Sequence, residues 1–188
     1  MKLRLATPPE WVDAVLADFD AFLLDHASCE RKASANALAF TTQFSDCPAL
    51  VAAMIELARE ELEHFQQVVR LIAARGLALV PDRRDRYVRL LRAETRQGRD
   101  AFLLDRLLVS GIVEARSCER FALLAGALEG ELRDFYRELA GAEARHHALF
   151  VRLANDAFDP ALVGDRLDEL LEAEARIVAE LPLRAGVH

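Results

Sequence analysis

Two short motifs in this chain have the composition and spacing of a metal site: Glu61-Leu62-Glu63-His64 and Glu143-Ala144-Arg145-His146. On a helix, residues three apart share a face, so each Glu-x-x-His aims a carboxylate oxygen and an imidazole nitrogen at one point. One such motif carries little weight in a Glu-rich helical chain. Two of them, each on the second helix of a helical hairpin and each matched by a carboxylate on the first helix, make the ligand set of a bundle that holds a pair of metal ions. Height along the axis selects those further carboxylates. Glu30 lies roughly 15 residues before the turn at Ser45-Asp46 and Glu61 roughly 15 after it, so both stand at one level. Glu114 and Glu143 bracket the turn near Leu128-Glu129 in the same way. A weak internal repeat, Ser28-Cys29-Glu30-Arg31 against Ser117-Cys118-Glu119-Arg120, nominates Glu119 instead. Glu119 is displaced toward the turn by roughly 7 Å and rotated off the face, so height favours Glu114. Glu119 is left as a supporting or surface carboxylate.

The candidate ligands are therefore Glu30, Glu61, His64, Glu114, Glu143 and His146. His147, four residues after Glu143, competes with His146, and the matched spacing of the first motif favours His146. Four carboxylates balance two divalent cations, and oxygen-rich, imidazole-poor ligation suits iron or manganese. Glu and His on Ala-rich helices more often belong to solvated faces. Glu30 and Glu114, however, have apolar or small neighbours such as Ala27, Ala33, Ile112 and Ala115, where a charge is rarely buried without a partner or a metal. His26 reads as a capping or surface histidine. Phe40, Phe65, Phe121, Phe135, Phe150 and Tyr136 read as core.

The elements that must hold these residues are helices. Ala, Leu, Glu and Arg dominate a chain of 188 residues with only 8 Gly and 6 Pro. Thr7-Pro8-Pro9-Glu10 has the form of a capping box before a short helix at Trp11 to Ala17. Long helices are expected at Asp18 to Phe44, Pro48 to Arg75, Arg99 to Leu128 and Glu131 to Ala157. Ser45 or Asp46 should cap the second, and a fifth helix should run from Pro160 to near Pro182. The length suits a single domain over residues 1–188. Cys29, Cys47 and Cys118 form no Cys-x-x-Cys pair and read as small buried residues. Met1 to Glu10 has no apolar signal core and no run is long enough to span a bilayer, so the expected location is the cytoplasm and no membrane partner is expected.

The net charge of -7 is unevenly spread: Arg70 to Arg106 carries ten arginines against five acids. That stretch includes a connector, Gly76 to Gly98, longer than a compact bundle needs, with a short helix signalled by Tyr87, Leu90 and Leu91. A basic segment in an acidic chain is the electrostatic footprint of a polyanion partner.

The strings Glu114-Ala115-Arg116-Ser117-Cys118-Glu119-Arg120-Phe121, Glu143-Ala144-Arg145-His146 and His26-Ala27-Ser28-Cys29-Glu30-Arg31-Lys32 resemble the bacterial tRNA 2-methylthio-N6-isopentenyladenosine hydroxylases over nearly the whole chain. The first string is far more specific than Glu-x-x-His. The resemblance implies an all-α, ferritin-like four-helix bundle with additional short and C-terminal helices. It implies two iron ions in a non-haem di-iron centre and O2 as co-substrate. It also implies hydroxylation of the isopentenyl side chain of the modified adenosine beside the tRNA anticodon, with electrons from a donor protein or reductase. With tRNA as partner, Arg83, Arg84, Arg86 and Arg89 become candidate phosphate contacts, alongside Arg92, Arg96 and Arg99. Other classes compatible with the residues alone are a ferritin-like iron oxidase or store, a peroxide-reducing di-metal bundle, and a metal-free helical interaction protein.

Overall fold

The computed structural model describes residues 2–81 and 85–188. Among these, seven helices and no strand occur: α1 Glu10–Ala17, α2 Phe19–Gln43, α3 Pro48–Ala74, α4 Arg86–Ala93, α5 Arg99–Ala127, α6 Gly130–Ala157 and α7 Pro160–Glu180. Their ends follow local chemistry. Asp18 caps α2 by accepting from the Ala21 N–H, Asp85 caps α4 through Val88, and Asp159 caps α7 with Pro160 in the first turn. At the end of α3, Gly76 adopts φ 73°, and the Gly76 and Leu77 amides return to Ala73 and Ile72 carbonyls. This left-handed closure needs a residue without Cβ strain.

Two expected caps are not used. Cys47, not Ser45 or Asp46, occupies the position before α3, and no side chain caps that end. The Thr7 hydroxyl serves α5 instead, donating to Glu119 Oε2 at 2.7 Å and accepting from Arg116 Nη1 at 3.0 Å. The three cysteines are half-buried rather than buried, and so are Phe65 and Phe135.

The chain divides into two compact units. In one, residues 13–81 and 184–187, α2 and α3 form an antiparallel hairpin. Its core is Phe22, Leu23, Ala27, Ala37 and Phe40 from α2 with Met54, Leu57, Ala58, Val68 and Ile72 from α3. Small residues at the contact let the helices approach, and Ser34 Oγ donates to the Ala58 carbonyl at 2.8 Å across it.

In the other, residues 2–12, 85–183 and 188, α5 and α6 form the second hairpin, and α4 and α7 pack beside α5. Every residue from 103 to 112 on α5 is buried, including Asp105 and Arg106, so that helix has no solvated face there. Buried charges are satisfied in networks. Asp105 accepts from Arg96, in the connector between α4 and α5, and from Arg166 on α7. Arg116 donates to Glu174 at 2.9 Å, to Thr7 Oγ1 at 3.0 Å and to the Leu5 carbonyl at 2.8 Å, while Tyr87 donates to Glu174 at 3.0 Å. These bonds tie the N-terminal segment, α4 and α7 to the helix that carries Glu114.

Candidate metal centre

Each hairpin gathers its own half of the expected ligands. In the α2–α3 unit, Glu30, Glu61 and His64 are all buried, and their ligand atoms lie within 4.8 Å of one another. His64 Nδ1 stands 3.5 Å from Glu61 Oε2 and 3.6 Å from Glu30 Oε2. In the α5–α6 unit, Glu114, Glu143 and His146 are likewise buried with ligand atoms within 4.8 Å, and His146 Nδ1 lies 3.4 Å from Glu143 Oε2. The level matching that selected Glu114 over Glu119 thus brings each first-helix carboxylate to its Glu-x-x-His.

Glu119 lies elsewhere. Its carboxylate accepts from the Thr7 amide and hydroxyl and from Arg116. His147 is half-buried, and burial pulls its imidazole below the ordinary range. Cys118, one turn beyond Glu114, donates from Sγ to the Ala140 carbonyl at 3.3 Å and so fastens α5 to α6 one turn from Glu143. Tyr136 is fully buried, with its ring edge-on to Phe135 and tilted on Phe121, a packing role.

The electrostatics of the first half call for a cation. Burial by itself lowers the His64 imidazole, but the adjoining Glu30 and Glu61 carboxylates outweigh it and push its pKa up to about 10. A proton held that firmly between two buried carboxylates occupies the place where a metal's charge would serve as well. Glu143 Oε2 in the second half accepts no hydrogen bond among the described residues. A buried carboxylate oxygen without a donor is costly, and a metal satisfies it. The donor set therefore fits a pair of divalent cations in which oxygen predominates.

His26 departs from its sequence reading as a capping or surface residue. It is fully buried on α2, and its Nε2 lies 2.7 Å from Glu30 Oε1. The available signal was its position four residues before Glu30, on the face that also carries Phe22, Leu23 and Ala27.

The whole chain, residues 1–188, matches the family model described as tRNA-(MS[2]IO[6]A)-hydroxylase (MiaE). The chain belongs to the MiaE family. A relative from Pseudomonas putida, named tRNA 2-(methylsulfanyl)-N(6)-isopentenyladenosine(37) hydroxylase, is 38% identical over 98% of this chain and 92% of its own length. One of the same name from Salmonella typhimurium is 39% identical over 56% of this chain and 39% of its own length. Among solved structures, a Synechococcus protein described as having aldehyde deformylating oxygenase activity superposes with a TM-score of 0.94 at 38% identity, covering 99% of this chain and 94% of that one. The fold class is all-α and ferritin-like, with the short α1 and α4 and the C-terminal α7 added to four long helices. No helix is long and apolar enough to cross a membrane among the described residues.

The basic segment of this MiaE-family chain is only partly available to a polyanion. Arg83 and Arg84 lie outside the described residues. Arg96 is committed to Asp105, and Arg106 is buried with its guanidinium 5.7 Å from the Phe102 ring centroid. Arg86, Arg89 and Arg92 are exposed on α4, whose other face buries Tyr87 and Leu91. Three-residue spacing sets these three arginines along one side of the helix.

Proposed function

We propose that this chain hydroxylates the isopentenyl side chain of the 2-methylthio-N6-isopentenyladenosine beside the tRNA anticodon, with O2 as oxidant and two iron ions held by Glu30, Glu61, His64, Glu114, Glu143 and His146. The observation that carries this reading is the match of the full chain to a tRNA hydroxylase family whose named relative aligns from end to end. Buried Glu/Glu-x-x-His clusters on both hairpins support it. Iron supplies the redox chemistry needed to place an oxygen atom in a C–H bond of the side chain. The carboxylates give the site its negative charge, and His64 gives up its proton when it ligates. The burial of all six side chains limits the access of water to the site. In the balanced reaction one oxygen atom of O2 enters the C–H bond and the other leaves as water. This requires two electrons and two protons, so an electron-donor protein is a partner. Arg86, Arg89 and the neighbouring Arg83 and Arg84 hold the tRNA backbone, and the reaction takes place in the cytoplasm.

The Synechococcus neighbour favours a second reading, oxygen-dependent deformylation of an aldehyde, because its identity to this chain equals that of the Pseudomonas relative. One experiment separates the two. Purified protein loaded with ferrous iron and supplied with reductant and O2 is given either tRNA bearing the modified adenosine or a long-chain aldehyde. The tRNA nucleoside is expected to gain one oxygen atom. An alkane product with unchanged tRNA would replace the first reading by the second.

A further inference from the structure

Glu30 presents its two oxygens to different neighbours. Oε2 faces His64 Nδ1 at 3.6 Å, on the side where Glu61 completes the half-site, whereas Oε1 lies 2.7 Å from His26 Nε2. We propose that His26 is a positioning residue for the metal ligand Glu30, fixing Oε2 as the oxygen offered to the metal and setting the affinity of one of the two ions. This rests on the di-iron reading above.

The chemistry assigns the direction of the bond. An ionised carboxylate only accepts, so Nε2 carries the proton and donates to Oε1. A hydrogen bond to a charged acceptor at this length is of the strong class. His26 is fully buried and Glu30 nearly so, which keeps water from replacing the donor. The imidazole is restrained by Phe22, one turn earlier on α2, at 5.8 Å between ring centroids. A carboxylate held at one oxygen loses the freedom to rotate or to chelate with both, and outer-shell partners of this kind orient ligands and raise metal affinity. His26 bonds Glu30, a carboxylate of the first half-site. The effect therefore falls on the ion bound by Glu30, Glu61 and His64.

The test is anaerobic titration of the metal-free full chain with ferrous iron, and with Co(II) as a spectroscopic probe, in wild type, His26→Phe and His26→Gln. Phenylalanine keeps the packed ring without the donor, and glutamine returns an amide N–H near the Nε2 position. The expected result is two ions in all three proteins. In His26→Phe one of them should be weakened by roughly 10- to 100-fold with an altered Co(II) spectrum, and His26→Gln should recover much of the loss. Two ions bound by His26→Phe with wild-type affinities and spectrum would overturn the proposal. So would equal weakening of both ions without recovery in His26→Gln, which is the pattern of a packing residue. Failure of the wild type to bind metal would instead overturn the di-iron reading and the proposal with it. If His26→Phe does not fold, the comparison of wild type with His26→Gln and His26→Asn decides, since asparagine is too short to carry its N–H to Oε1.

Discussion

Glu114 and Glu119 stand five residues apart on α5 and have opposite surroundings. Glu114 is buried with Glu143 and His146, whereas Glu119 answers Thr7 and the buried Arg116. Substitution should therefore separate metal binding from stability. Glu114→Ala is expected to lower iron content with little change in the metal-free melting profile. Glu119→Ala should keep its iron and cost about 1–3 kcal/mol, because it deprives a buried guanidinium of one acceptor. Iron analysis and denaturant melts of both variants check this, and an empty site in Glu119→Ala with a full one in Glu114→Ala would return the ligand role to Glu119. The two motifs and their level-matched carboxylates were legible in the sequence because helical rise and periodicity are local rules. His26 was not, since its polar neighbours Asp25 and Ser28 masked a position on the apolar face of α2.

The short helix α4 joins a packed face, Tyr87 and Leu91, to an exposed basic one. Its far end is pinned by Asp105, which takes the Arg96 amide and guanidinium and also Arg166 from α7, while Arg166 reaches the Glu94 carbonyl at 2.7 Å. Burial works to raise the Asp105 carboxyl, but Arg166 and Arg96 outweigh it and hold it below the usual carboxylate range. The stability this contributes is present above the ordinary aspartate pKa and is lost as pH falls through the lower folded-state value. Asp105→Asn, which removes the charge shared by Arg96 and Arg166 while Arg166 keeps Glu169, should cost about 1–3 kcal/mol near neutral pH. It should also remove part of the acid limb of the stability profile, as denaturant midpoints between neutral and acid pH will report. A midpoint unchanged from wild type at neutral pH would contradict that role. The outer face of α4 is a separate matter. Changing Arg86, Arg89 and Arg92 to Gln should weaken tRNA binding and flatten the slope of log K against log salt by about 0.7 to 0.9 per lost contact. Iron content should stay at the wild-type level, and an unchanged slope would move the tRNA to another surface.

Across the whole molecule, the order and extent of the helices were readable from the sequence to within a residue or two, because Pro48, Gly76, Gly98, Gly130 and Pro160 punctuate strong helical periodicity. What escaped was long-range. Thr7 carries the local signature of a cap, yet its hydroxyl serves partners on α5 more than a hundred positions away in the chain. Arg96 looked available to phosphate until a buried aspartate claimed it. Such competitions are decided by tertiary neighbours that no local pattern encodes. The substrate is likewise invisible to spacing and enters through the family to which the chain belongs. The most direct measurement of the central claim is therefore made on the substrate itself, by mass analysis of tRNA nucleosides from cells with and without the gene for this chain. Cells lacking it should accumulate 2-methylthio-N6-isopentenyladenosine. Restoring the wild-type chain should return the form heavier by one oxygen atom, and restoring Glu143→Ala should not. A full level of the hydroxylated nucleoside in the deleted cells, or its return with Glu143→Ala, would contradict the account.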